Sequence, residues 1–285
     1  MTSNEATLEA IRETQRKSRV QVERIPWSEL GPEFVEIWGR NDPENPQPEH
    51  MEIVGMNGSG KTYFLCTILQ ERMLVRDTPT TIIATKPADS TLRSLGWPIV
   101  KNPREAHKAR QVILWPDTKE IGAARRAYQR KEIYEYLSKL WQPNANTIVA
   151  FDEIAYVESL SPEMRDLIEM YWREGRSQGI TVIGMKQRPQ GANRHMSSES
   201  YWTIAYLPKD HDDLERFAEL FGSRRQWMPI LESMDAENHE FLIRNHRTGV
   251  AYISWIDIPL EPIAPEAENK MGTYLGHQNK RNNDL

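Results

Sequence analysis

Eight consecutive residues, Gly55, Met56, Asn57, Gly58, Ser59, Gly60, Lys61 and Thr62, fit the spacing G-x-x-x-x-G-K-[ST] in full. Residues of these types can hold a polyphosphate. Glycines let successive backbone N–H groups turn inward around phosphate oxygens, and the positive end of a following helix adds to the field. Lys61 would reach the β- and γ-phosphates, and the Thr62 hydroxyl would ligate Mg²⁺. A second set, Asp152 and Glu153, follows the apolar run Thr147–Phe151. Asp152 would hold Mg²⁺ through its water shell, while Glu153 would polarise a water for in-line attack on the γ-phosphate. Together the two sets predict binding and hydrolysis of a nucleoside triphosphate.

For that chemistry both sets must stand at one edge of a sheet, each at the C-terminal end of a strand. The run 51–54 supplies the strand before the glycines, and 61–75 the helix after them. Further strand-like runs at 80–85, 111–115, 147–151, 180–185 and 201–206 alternate with helical stretches at 119–140 and 162–173. Such alternation predicts an α/β fold with a mostly parallel sheet sandwiched by helices. Asp210 is expected to cap a helix over 214–221, closed by Gly222, and 240–244 with 249–255 read as a C-terminal β-hairpin. Ahead of the core, residues 1–24 read as helical and Phe34–Trp38 as an edge strand, followed by three prolines within 41–48. The expected divisions are an arm at 1–48, an ATPase-type domain at 49–258 and a flexible tail at 259–285.

The formal net charge of −5 gives no general attraction to polyanions, but charge is unevenly placed. Between Lys101 and Lys131 there are nine Lys and Arg against three acids. That run, which holds Arg125, Arg126 and Arg130, is either a solvated helix face or a track for phosphate backbones. One cysteine, Cys66, cannot form an internal bridge, the N-terminus has no leader pattern, and no apolar stretch approaches membrane-spanning length. A cytoplasmic protein without membrane insertion of its own is expected. The histidines show no metal-ligand spacing, and Trp97, Trp115 and Trp202 read as core residues rather than as a nucleobase-stacking ring.

A third signal is Gly175-Arg176-Ser177-Gln178-Gly179-Ile180, then a strand, then Gln187-Arg188-Pro189. Gln187, just past a strand beside that of Asp152, could touch the γ-phosphate or the attacking water. Arg173 and Arg176 precede the same strand, at the sheet edge opposite their own phosphate loop, from which they could reach the nucleotide of an adjacent subunit.

These three signals together resemble the FtsK/HerA superfamily of ring-forming DNA-pumping ATPases, over roughly residues 50–207. The resemblance implies a RecA-like core, ATP with Mg²⁺, a pentameric or hexameric ring of identical subunits, and double-stranded DNA in its centre. It makes Gln187 the sensor glutamine and either Arg173 or Arg176 the inter-subunit arginine. Without transmembrane helices, an N-terminal barrel or a nuclease domain, the layout is most similar to the small ATPases that package viral and phage genomes. A capsid portal or vertex protein is then an expected partner, with location in the host cytoplasm or on the virion. The loop from Arg188 to His195, with Arg188 and Arg194, is the first candidate for gripping DNA phosphates. Three alternatives stay open: a plasmid or mobile-element DNA-transfer ATPase, a non-pumping ATP-binding assembly switch, and a small-molecule kinase, for which no acceptor pocket is evident.

Overall fold

Residues 22–39, 48–106, 109–188 and 194–260 are described by the computed structural model. Its strands are β1 (Glu23–Arg24), β2 (Met51–Val54), β3 (Thr80–Ile83), β4 (Ile99–Val100), β5 (Gln111–Leu114), β6 (Thr147–Phe151), β7 (Ile180–Lys186), β8 (Trp202–Tyr206), β9 (Phe241–Asn245) and β10 (Ala251–Ser254). They form one sheet in the order β1-β10-β9-β8-β2-β7-β6-β3-β5-β4. From β8 to β4 every neighbouring pair is parallel. The hairpin β9–β10 adds antiparallel to β8, so it extends the sheet instead of projecting from it.

The central strands are buried on both faces, which explains why they read as unbroken apolar runs. Period-2 alternation divides their side chains between two cores. Ile53, Ile82, Ala150, Ile183 and Ile204 pack on one face with Phe64 and Ile68 of the helix Lys61–Val75. Ile83, Val149, Phe151 and Val182 pack on the other with Ile133 and Leu137 of the helix Gly122–Leu140 and Ile168 of the helix Pro162–Glu174. The last of these helices starts as its sequence dictates: Pro162 occupies its first turn and the Ser161 hydroxyl accepts from Met164 N–H at 3.2 Å. A third core joins the helices His211–Leu220 and Arg224–Glu232 to the hairpin through Phe217, Phe221, Trp227 and Leu242.

One expectation is corrected. Phe34–Trp38 is no edge strand but part of the helix Trp27–Gly39. Trp27, Leu30, Phe34 and Trp38 recur at helical spacing and are buried, whereas the five-residue window 34–38 alone mimics a strand. This helix docks on the helix Lys61–Val75, with the Trp27 ring 5.1 Å from Phe64 and Trp27 Nε1 donating to Glu71 at 2.9 Å. The expected helix around Leu8 and Ile11, the proline-rich residues 40–47, the loop 189–193 and the tail from 261 lie outside the described residues.

Candidate nucleotide site

Strand β2 ends at Val54 and the chain turns through the glycines into the helix that starts at Lys61. The turn requires glycine at particular places. Gly58 and Gly60 have φ of 79° and 99°, and a Cβ at Gly55 would lie 2.6 Å from Ser59 Oγ and 2.7 Å from Tyr206 Cβ. Lys61 Nζ folds back over the loop and donates to the carbonyls of Gly55 and Met56 at 2.5 and 2.7 Å. Loop and helix start border a cavity of about 520 Å³, with Thr62, Lys86, Asp89 and His239 also in its wall.

The acids arrive from another strand. Asp152 follows β6 and is buried, and its Oδ1 accepts from the Thr62 hydroxyl at 3.4 Å. The two residues expected to serve the metal therefore meet, although they are far apart in the chain. Hydroxyl and carboxylate are the hard oxygen donors that Mg²⁺ takes. Asp152 Oδ2 is buried and makes no directed hydrogen bond, its one charged neighbour in reach being the Lys86 ammonium at 3.0 Å, and the chemistry of this donor set fits such an ion. Between β2 and β6 lies β7, and its end delivers Gln187. Gln187 Nε2 donates to Glu153 Oε2 at 2.8 Å. Glu153 is thereby tied to the residue that follows β7, whereas Asp152 is tied to the residue that follows Lys61.

Burial sets the electrostatics. It pushes the Lys61 ammonium down to about 8, helped by the nearby Lys86 and opposed by Glu153 and Asp152. It raises both carboxyls above their usual range. Lys86 works against the rise at Asp152, and the Gln187 hydrogen bond works against it at Glu153. A carboxylate with raised affinity for protons is better suited to take one from water.

Lys86 is the residue that sequence reasoning missed. It follows β3, and its ammonium lies 3.1 Å from Asp152 Oδ1, 3.0 Å from Oδ2 and 3.9 Å from Asp89 Oδ2. The available signal was positional: a lysine just past a strand, at the same sheet edge as the acids.

The predicted arginines scatter. Arg176 stands at the opposite end of the sheet, where Nε donates to the Pro48 carbonyl at 2.9 Å and the guanidinium lies 4.4 Å over the Tyr201 ring. Arg173 is exposed and pairs with Glu169 at 3.4 Å. Arg125 donates to the Thr85 carbonyl at 3.0 Å, and Arg126 to the Ser159 carbonyl while lying 5.5 Å over Tyr156. Arg130 is exposed on the same helix. Arg188 is exposed, 3.9 Å from Asp213, and Arg194 begins the helix Arg194–Glu199.

This architecture has solved counterparts. The genome-packaging NTPase B204 of Sulfolobus turreted icosahedral virus 2, in complex with AMPPCP, superposes with a TM-score of 0.57 at 13% identity, over 76% of this chain and 100% of that one. The chain has the fold of that viral NTPase. B204 from Sulfolobus turreted icosahedral virus, a DNA-packaging ATPase, gives 0.54 at 15% identity over the same shares of the two chains. The cytoplasmic domain of the type VII secretion ATPase EccC from Thermomonospora curvata gives 0.50 at 14% identity, covering 76% of this chain and 26% of that one. No family model and no curated protein matches the sequence. The RecA-like α/β core expected from the motifs is thus present. Among the described residues, no helix is long and apolar enough to cross a membrane.

Proposed function

We propose that this chain hydrolyses ATP to move double-stranded DNA, acting as a ring of identical subunits that packages a viral or phage genome. The observation that carries the hydrolytic part is the 2.8 Å hydrogen bond between Gln187 and Glu153, one strand away from the phosphate loop. In the proposed reaction Glu153 takes a proton from water as the water oxygen bonds to the γ-phosphorus. The bond from that phosphorus to the bridging oxygen breaks, leaving ADP and inorganic phosphate. Lys61 and the loop N–H groups hold the phosphates, and Gln187 orients both the base and the water. Bound through Thr62 and Asp152, Mg²⁺ would neutralise charge on the β- and γ-oxygens.

Transport is the further step. Gln187 follows β7 and is bonded directly to Arg188, so loss of the γ-phosphate would be felt at once by a basic stretch of the sequence, Arg188 to His195. Such a segment grips phosphates regardless of sequence, as a pump requires. Support for the packaging role comes from the fold shared with B204, a DNA-packaging ATPase, and from a superposition that spans 100% of the B204 chain. A portal or vertex protein of a capsid would anchor the ring. The test is steady-state ATP turnover by the purified full chain with and without long blunt linear duplex DNA. Stimulation that falls with added salt is expected. Turnover indifferent to DNA would instead mark a nucleotide-dependent assembly switch. Charge reversal of Arg188 and Arg194 should reduce the stimulation and flatten its salt dependence.

A further inference from the structure

Lys86 combines a fixed backbone with a movable charge. Its carbonyl accepts from Trp115 Nε1 at 2.7 Å, and three residues on Asp89 caps the helix Ser90–Ser94 by accepting from Leu92 N–H at 3.0 Å. Its side chain is 36% exposed, whereas that of its partner Asp152 is 0% exposed. The ammonium reaches both carboxylate oxygens of Asp152, the group that would serve a divalent cation. Lys86 also borders two spaces. One is the cavity of the phosphate loop, and the other is a neighbouring cavity of about 410 Å³ walled by Glu153, Gln187 and Arg125.

We propose that Lys86 is the resident counter-ion of Asp152 and is exchanged for the divalent cation when the nucleotide arrives. This deepens the reading of the site given above and rests on it. A carboxylate desolvated to this degree needs a positive neighbour in the nucleotide-free protein. An ammonium and a divalent cation repel each other, so holding both against one buried carboxylate is unfavourable. Metal alone therefore competes poorly with Lys86. Metal arriving with a triphosphate brings its own anion, which offsets the lost pairing and leaves the ammonium a new partner in the adjoining space. The site then loads its cation with nucleotide rather than before it, and release of Lys86 toward the side of Glu153 and Gln187 accompanies loading.

The test uses the full chain and Mn²⁺ as a paramagnetic substitute for Mg²⁺, titrated without nucleotide and followed by electron paramagnetic resonance. Lys86→Met and Lys86→Gln should each bind Mn²⁺ about tenfold tighter than the unmodified chain or better, and adding Asp152→Asn should erase the gain. In the unmodified chain, acetylation of the Lys86 amine, read by peptide mass spectrometry, should change severalfold with Mg²⁺ and a non-hydrolysable ATP analogue together, and little with either alone. Mn²⁺ affinities within about twofold of each other, or Lys86 reactivity indifferent to the loaded nucleotide, would overturn the exchange. If the analogue still binds with Mg²⁺ in those cases, and Asp152→Asn weakens it, only the exchange falls. If the unmodified chain binds no Mg²⁺–analogue, the ATPase reading falls with it.

Discussion

The two ends of the parallel sheet carry similar residues in opposite circumstances. At the C-terminal end, Lys61, Lys86, Asp152, Glu153 and Gln187 converge beside two cavities, and burial moves the lysine and both acids from their ordinary ionisation. At the N-terminal end, Arg176 is spent on the Pro48 carbonyl and the Tyr201 ring. There His50 is buried and pushed down to about 3, with Nδ1 accepting from Val182 N–H at 3.0 Å. Perturbed ionisation alone therefore does not mark a site, since His50 is lowered by burial just as Lys61 is. What separates the ends is convergence on open space. At one end the groups face a volume that a ligand can enter; at the other they are packed against backbone and rings.

The sharpest way to break this comparison is Glu153→Gln. It keeps shape and the contact with Gln187 but removes the proton acceptor. Single-turnover hydrolysis should fall by about 10³-fold, while the affinity for a non-hydrolysable ATP analogue stays within about twofold. Equal losses in both would place Glu153 in binding and not in proton transfer. Lys61→Ala acts at the same end on the other term: analogue affinity should weaken by about 10²-fold, read by calorimetry, with the fold unchanged by circular dichroism.

How far the sequence alone reached follows the same division. The strands flanking the site were legible because burial on both faces forces runs such as Thr147–Phe151, and the glycine spacing fixes the loop by steric need at Gly55, Gly58 and Gly60. Gln187 was legible as a strand-end amide. The two-residue strand Ile99–Val100 is too short to show a period, and the helix Arg224–Glu232 contains Pro229, which argues against a helix locally. The hairpin was readable, but not its attachment to β8, because pairing partners across a sheet leave no local trace. Lys86 was hidden for a related reason. A single lysine after a strand is ordinary until the third dimension places it on Asp152.

Replacing the arginines at the other end should give smaller effects of a different kind. Arg176→Ala loses a charged hydrogen bond and a ring contact, and should cost about 1–3 kcal/mol of folding stability in denaturant titration. Arg173→Ala, on an exposed helix turn, should stay within about 0.5 kcal/mol. Stability and catalysis then separate the two candidates for the inter-subunit arginine. If Arg173→Ala folds normally but loses turnover, and mixing it with Lys61→Ala subunits restores some, Arg173 acts across the interface. If only Arg176→Ala shows such rescue, its internal contacts are broken on assembly.

The smallest expected effect tests the field at the nucleotide end without any replacement. Lys61 is pushed down to about 8 by burial first and by Lys86 second, so in the nucleotide-free protein it loses its proton as pH rises through that value. A triphosphate favours the charged lysine. Analogue affinity should therefore be flat below pH 8 and weaken above it, approaching about tenfold per pH unit. In that upper range binding takes up a proton, and the calorimetric enthalpy should vary with the ionisation heat of the buffer. Lys86→Met removes one of the two causes of the depression, so the onset should move to higher pH. An affinity flat from pH 7 to 9.5 in the unmodified chain would mean that Lys61 keeps its proton throughout, and that burial at this end perturbs its lysine less than burial at the other end perturbs His50.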